Sequence, residues 1–343
     1  MTTIYATHPR YAEHDLRGHP ENAKRIRAVW RGLEESGLSA RMQQLQAQTV
    51  DNESVLSVHT DDYLELLRNV STTSRTTLLD ADTYIGPDGL TIALLSAGGV
   101  VGAVDRVLSG AAENALAAVR PPGHHAMPDH AMGFCLLGNV AIAARIAQSH
   151  YGIARIVIVD YDVHHGNGTE AMFYDDPSVL YISTHQYPHY PGTGAATDIG
   201  TGRGEGYTVN VPLPAGSGDA NYATVFDRII WGVVERFDPQ LVLVSVGFDA
   251  YWADPLAGMR LTLNGYSHLA EEVIRMAQRF CGGKVVFALE GGYDLDALRY
   301  GVSNIARLLL GDSPIDPLGE VPGPRPEPDI GALVTQLQKL HRL

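Results

Sequence analysis

The chain has 343 residues, 45% hydrophobic and 19% charged, so it is long and apolar enough to bury a large core. Its formal net charge of −14 argues against a nucleic-acid partner, because phosphate contacts need a basic surface. Its two cysteines, Cys135 and Cys281, exclude a disulfide framework or a cysteine-rich zinc site. The opening "MTTIYATHPR" has no apolar run of signal-peptide type, and no stretch of about 18 apolar residues is read as a membrane span, so a cytoplasmic setting is expected.

In chain order, "ENAKRIRAVWRGLEESG" (21–37) predicts a helix that ends at glycine. Strand-length apolar runs follow at 115–119 "ALAAV", 155–159 "RIVIV", 179–183 "VLYIS" and 207–211 "YTVNV". The stretch "GTGRGEG" (200–206) lacks the spacing and the Lys-Ser/Thr ending of a phosphate loop and reads as a turn. A helix at 221–237, a strand at 241–246 "LVLVSV", a helix at 264–283 and a strand at 284–289 "KVVFAL" complete the run. Continuous apolar strands alternating with helices predict an α/β fold with a parallel sheet buried on both faces. No linker divides residues 1–310. From 311 the Pro-rich "GDSPIDPLGEVPGPRPEPDI" reads as an extended wrap, and "ALVTQLQKLHRL" as a short helix closing the same domain.

Polar groups collect just past the strands: "AVRPPGHHA", "DYDVHHGNG", "THQYPHYPGTG", "GFDAYWADPLAG" and "EGGYD". In open parallel sheets the ligand crevice lies beyond the carboxyl ends of the strands, so these clusters converge on one rim. If "DYDVHHG" continues its strand, alternation points Asp160, Asp162 and His164 the same way. Carboxylate and imidazole together suit zinc, and Asp249 is the best third ligand. His124 and His125 are candidates for metal ligation or proton transfer, and the glycines before Tyr293 let backbone approach a ligand. His165, His185 and His189, and singly His8, His14, His19 and His59, read as structural.

The order of these motifs, with "GFC" at 133–135, "YPGTG" at 190–194 and "HPENAKR" at 19–25, resembles zinc-dependent histone deacetylases and their bacterial relatives, including acetylpolyamine amidohydrolases. The match spans roughly residues 5 to 310. It implies a single-domain arginase–deacetylase fold, three-layered around an eight-stranded parallel sheet. It implies zinc on Asp162, His164 and Asp249, tandem histidines His124 and His125, and Tyr293 as the transition-state tyrosine. Asp160 then orients His124. Asn167 partners His125, as in the class II pattern, where class I members usually carry Asp. Gly133, Phe134, Tyr190 and Gly292 match the acyl-lysine channel; Tyr190 replaces the usual Phe and makes it slightly more polar. Leu256 matches the rim position that is apolar in many class II lysine deacetylases and acidic in polyamine-selective members. A structural potassium ion is implied on Asp160, Asp162, His164, Ser183 and Thr184.

The activity so implied is removal of acetyl or another short acyl group from the ε-amine of lysine in a protein or peptide by metal-activated water. An acylated polyamine is the alternative substrate. A non-catalytic acyl-ligand binder and a binuclear manganese ureohydrolase are the weaker alternatives; the second metal of a ureohydrolase would lack ligands, because His164 is followed by His-Gly and Asp249 by Ala-Tyr.

Overall fold

The computed structural model describes residues 2–323 and 326–343. Pro324 and Arg325, inside the Pro-rich wrap read from the sequence, lie outside the described residues. Among the described residues there are ten strands: β1 (Thr3–Thr7), β2 (Gln43–Gln46), β3 (Thr77–Leu78), β4 (Tyr84–Ile85), β5 (Asn114–Ala117), β6 (Ile156–Asp160), β7 (Val179–Gln186), β8 (Thr208–Leu213), β9 (Leu241–Val246) and β10 (Val285–Leu289). Eight of them make one sheet in the order β2-β1-β5-β10-β9-β6-β7-β8, and β3 and β4 form a separate hairpin. Every pairing in the large sheet is parallel, so all its carboxyl ends share one rim.

The central strands carry almost nothing but buried aliphatic residues. Ile156–Val159 and Leu241–Val244 are all at most 1% exposed. At about 1.5–3 kcal/mol for each fully buried aliphatic side chain, these runs anchor the sheet. Helices cover it on both sides. Gly89–Leu108 packs against Asn139–Tyr151 and strands β1, β5 and β10, while Ala23–Glu35 packs on Leu295–Leu309 and that helix on Leu263–Cys281. The predicted helix ends are realised chemically. Asn22 accepts from Lys24 N, Thr262 accepts from Gly265 N, and Gly282 (φ +61) closes Leu263–Cys281.

Strands β1 to β4 and several helices, among them Gly89–Leu108, Asn139–Tyr151 and Leu295–Leu309, were not anticipated. β1 is short, and β2 reads "QQLQ", an edge strand with three exposed glutamines. Packing on one side only leaves β2 no need of an apolar pattern. The helix Gly89–Leu108 corrects the membrane reading, since it is long and apolar enough to cross a membrane by length and composition. Yet 67% of its window is buried inside the protein, as for a core helix. It also sits unusually close to the chain after β2: a Cβ at Gly98 would lie 1.6 Å from Gln48 O.

The carboxyl-terminal segment is tied into the body. Glu327 accepts from Gly218 N, Ala220 N and Asn221 N at 2.8–3.0 Å, capping the helix that starts at Asp219. The last helix, Gly331–His341, buries Val334, Leu337 and His341, and Arg236 Nη1 donates to His341 O at 2.5 Å.

Candidate active site

The polar groups past β5, β6, β9 and β10 meet at the centre of the rim. Asp162, His164 and Asp249 are buried, and one potential ligand atom from each lies within 4.8 Å of the others. Strand alternation is not what brings them together, because β6 stops at Asp160. The chain beyond it curls through side-chain bonds: Asp162 N donates to Asp160 Oδ1 (3.2 Å) and His164 N to Asp162 Oδ1 (3.0 Å). Val163 N holds Asp249 Oδ1 at 3.0 Å, and Gly291 N holds Asp162 Oδ2 at 2.8 Å.

This cup is built for a cation. Asp249 Oδ2 is buried without a hydrogen-bond partner, although His164 Nδ1 lies 3.3 Å away. Burial, then the neighbouring Asp162, pushes the Asp249 carboxyl up. Burial opposes charge on His164, but Asp162 and Asp249 outweigh it and hold that ring's pKa up to about 10. Two buried carboxylates with only an imidazole between them require positive charge, and two carboxylates plus an imidazole with an open side form the donor set of a catalytic zinc-type site.

The tandem histidines share a loop but not an environment. His124 Nδ1 donates to Asp160 Oδ2 at 3.1 Å, and Asp160 also accepts from Tyr181 Oη at 3.1 Å. Burial disfavours its charge, yet Asp162 and Asp160 prevail and raise its pKa to about 10. His125 Nδ1 lies 2.7 Å from Asn167 Oδ1, while the Asn167 amide nitrogen donates to the Met127 and Met132 sulfurs. With the amide so oriented, Nδ1 of His125 carries the proton and Nε2 keeps its lone pair. Burial first, then the charges on His124 and His164, push the His125 pKa well below its ordinary 6.5. Adjacent residues are thus a cation and a neutral base.

These groups open into a cavity of about 210 Å³ lined by His124, His125, His164, Gly133, Phe134, Tyr190, Leu256, Tyr293 and four others. Tyr190 meets His125 edge-on at 5.3 Å between centroids, and Phe134 meets Tyr293 at 5.9 Å. Gly133 has φ +55, and a Cβ there would strike the His125 ring at 2.4 Å, so the aromatic wall can stand against the base only because this residue is glycine. The expected wall glycine Gly292 is displaced by its neighbour. Gly291 lines the cavity, whereas Gly292 gives its carbonyl to Arg25 Nε at 2.7 Å. Burial drives the Tyr293 phenol well above its usual range, so it keeps its proton and can donate.

Several contributors were not singled out from the sequence. Arg25 donates to Gly292 O and Glu290 O, pairs with Glu21, and places its guanidinium 5.0 Å from the Tyr293 ring centroid. Arg120 forks onto the same Glu21. Asp254 Oδ2 accepts from Tyr293 N (2.7 Å) and Asp294 N (3.1 Å), and its Oδ1 from Leu256 N (2.9 Å), joining rim to phenol loop. Asp82, on the β3–β4 turn, lines the cavity, as does His189, which stacks on His164 and bonds Leu256 O at 3.0 Å. His189 therefore departs from its structural reading. His165 and His185 instead brace loops, through Thr193 and Glu170 and through Ser183 and Gly194 O. Of the residues implied for potassium, Ser183 Oγ is engaged by His185, and Thr184 Oγ1 is buried without a partner.

Comparison with known proteins adds independent findings. A family model described as the histone deacetylase domain matches residues 19–309. A histone deacetylase-like amidohydrolase of Pseudomonas aeruginosa is 43% identical over 277 residues, covering 80% of this chain and 73% of that protein. A probable deacetylase of Archaeoglobus fulgidus is 42% identical over 315 residues, covering 91% and 87%. Histone deacetylase 14, chloroplastic, of Arabidopsis thaliana is 42% identical over 316 residues, covering 87% and 74%. The crystal structure of the HDA15 HD domain superposes with a TM-score of 0.90 at 35% identity, covering 99% of this chain and 96% of the other. The architecture is the single-domain arginase–deacetylase fold.

Proposed function

Because the chain belongs to the histone deacetylase family, we propose that this deacetylase removes acetyl or other short acyl groups from the ε-amine of lysine in proteins or peptides, with one zinc ion held by Asp162, His164 and Asp249. The observation that carries the reading is the convergence on one cavity of a cation cup, a neutral histidine, a cationic histidine and a protonated phenol, below walls of Phe134 and Tyr190. When bound, the zinc ion supplies Lewis acidity, polarising the amide carbonyl and lowering the pKa of water.

The chain's own residues supply the rest. Nε2 of His125 takes the proton from the attacking water, a role open to it because Asn167 adds no charge that would hold the ring protonated. Tyr293 donates its phenolic proton as a hydrogen bond to the oxygen that becomes negative. His124, kept cationic by Asp162 and Asp160, adds positive potential beside that oxygen. The leaving amine takes its proton from His125. Phe134 and Tyr190 flank the aliphatic stem and select a linear chain over a bulky amide. A potassium ion near Asp160, Asp162, His164, Ser183 and Thr184 belongs to the same proposal, supported by the partnerless Thr184 hydroxyl.

One observation favours acylated polyamines as the second reading. Asp82 brings a half-buried carboxylate to the cavity wall, where a second ammonium group of the substrate would be attracted. Apolar Leu256 on the rim favours peptides. Kinetics with an acetyl-lysine peptide and acetylputrescine, side by side on enzyme of known zinc content, decide the matter. The peptide is expected to have the higher kcat/KM. No turnover of either substrate would overturn the deacetylase reading, and preference for acetylputrescine would replace the substrate.

A further inference from the structure

Behind the tandem histidines, His124 is shared with a second set of metal-binding groups, whose other two members, Cys135 and Glu290, the reaction above does not use. Cys135 and Glu290 are buried, at 0% and 1% exposure. A nitrogen of His124, the Cys135 sulfur and a Glu290 carboxylate oxygen all lie within 4.8 Å of one another. Thiolate, imidazole and carboxylate together suit zinc and its thiophilic neighbours, with zinc–sulfur near ~2.3 Å and zinc–nitrogen or zinc–oxygen near ~2.0–2.2 Å.

The existing bonds leave donor capacity free. The Cys135 thiol donates weakly to Gly133 O at 3.3 Å, and its sulfur also meets the His125 backbone. Glu290 Oε2 accepts from Gly123 N (2.6 Å) and His124 N (3.2 Å), whereas among the described residues Oε1 accepts from Ser245 Oγ alone (3.1 Å) and keeps a lone pair. Asp160 Oδ2 lies 3.1 Å from His124 Nδ1 and Asp162 Oδ1 3.8 Å from its Nε2, while Glu290 Oε2 accepts from His124 N, so carboxyl groups gather round this residue and favour a cation. His124 also lines the cavity, which gives an ion a route from solvent.

We infer that His124, Cys135 and Glu290 form a second, inhibitory site for one thiophilic divalent cation such as cadmium or excess zinc, separate from the Asp162–His164–Asp249 cup. Binding releases the thiol proton and the His124 proton to solvent and leaves the cation on sulfur, nitrogen and oxygen. His124 lines the reaction cavity, so a cation held on its ring takes that ring away from the substrate oxygen, which is the source of inhibition. The inhibition rests on the deacetylase reading given above; the binding does not.

Cobalt(II) separates the two sites, because the cup contains no sulfur. Titration of the full chain with cobalt is expected to give a thiolate-to-cobalt charge-transfer band in the near ultraviolet, retained in Asp249→Ala and lost in Cys135→Ser. No such band at saturating cobalt, or a band that survives in Cys135→Ser and so belongs to Cys281, would overturn the site. In the peptide assay, each protein normalised to its own uninhibited rate, Cys135→Ser should need at least about tenfold more cadmium for half inhibition, the loss that even an outer-shell substitution brings to a metal site. Equal cadmium sensitivity would overturn the inhibitory role. A charge-transfer band from a chain without deacetylase activity would sink the functional reading and leave this site standing.

Discussion

On the floor of the cavity, both acidic ligand candidates are clamped by backbone: Asp162 by Gly291 N and His164 N, Asp249 by Val163 N. On its walls, Phe134 and Tyr190 ride on loops, are only half-buried, and touch the floor through edge-on ring contacts. The difference separates two tasks. Fixed carboxylates hold their geometry whatever occupies the channel, as transition-state stabilisation requires. In the proposed function, the loop-borne rings are what meets the acyl chain, and they set affinity and choice. Floor substitutions should therefore act on kcat, and wall substitutions on KM and on which substrate is taken.

The largest effect is expected from Asp249→Ala. It should empty the cup and reduce turnover to background, with atomic emission reporting loss of bound zinc; full zinc occupancy would break the assignment. Tyr293→Phe comes next, with kcat down by about 10²–10³, the usual cost of one oxyanion donor, and zinc content and KM little changed. Near-normal turnover would remove the phenol from the chemistry.

The pH profile sharpens the floor further. With His125 as the proposed base, its depressed pKa means that activity should persist as pH falls through 6.5 and fail only well below it. Asn167→Asp puts a carboxylate on His125 Nδ1 and should raise that limb by about 1 unit or more. An unmoved limb would mean that another group controls it. Of the wall variants, Phe134→Ala should lower kcat/KM roughly 10-fold, mainly through KM, as expected when a hydrophobic pocket loses packing. Asp82→Asn should be mildest: a partly exposed charge contributes about 1 kcal/mol or less, so acetylputrescine should lose a few-fold relative to a peptide, and less at high salt.

Much of this was legible in the chain, for identifiable reasons. Buried parallel strands such as "RIVIV" and "LVLVSV" declare themselves because both faces must be apolar. The central site residues stand in short runs directly after those strands, where topology forces convergence. β2 stayed hidden because an edge strand can be written in glutamine, and the apolar Gly89–Leu108 helix was overlooked as a unit because glycines, a serine and a threonine interrupt it. Asp162 and His164 do lie close together, but strand alternation is not the reason, since β6 ends before them and hydrogen-bonded turns do the positioning. Asp82 had no local signature: it sits on a hairpin turn far along the chain, and only folding carries it to the cavity. Arg25, Asp254 and Glu290 lay inside recognised motifs, but their bonds run to backbone atoms, which side-chain chemistry alone does not reveal.

The Glu327 clamp bears on how this protein can be cut. A chain stopped at residue 310 would keep every group named in the cavity, yet three amides at the start of the 219 helix would lose their acceptor, and the surface under Val334 and Leu337 would meet water. Proteolytic trimming from that end is therefore expected to yield a species with an intact reaction centre and reduced heat tolerance, prone to clumping through its uncovered flank.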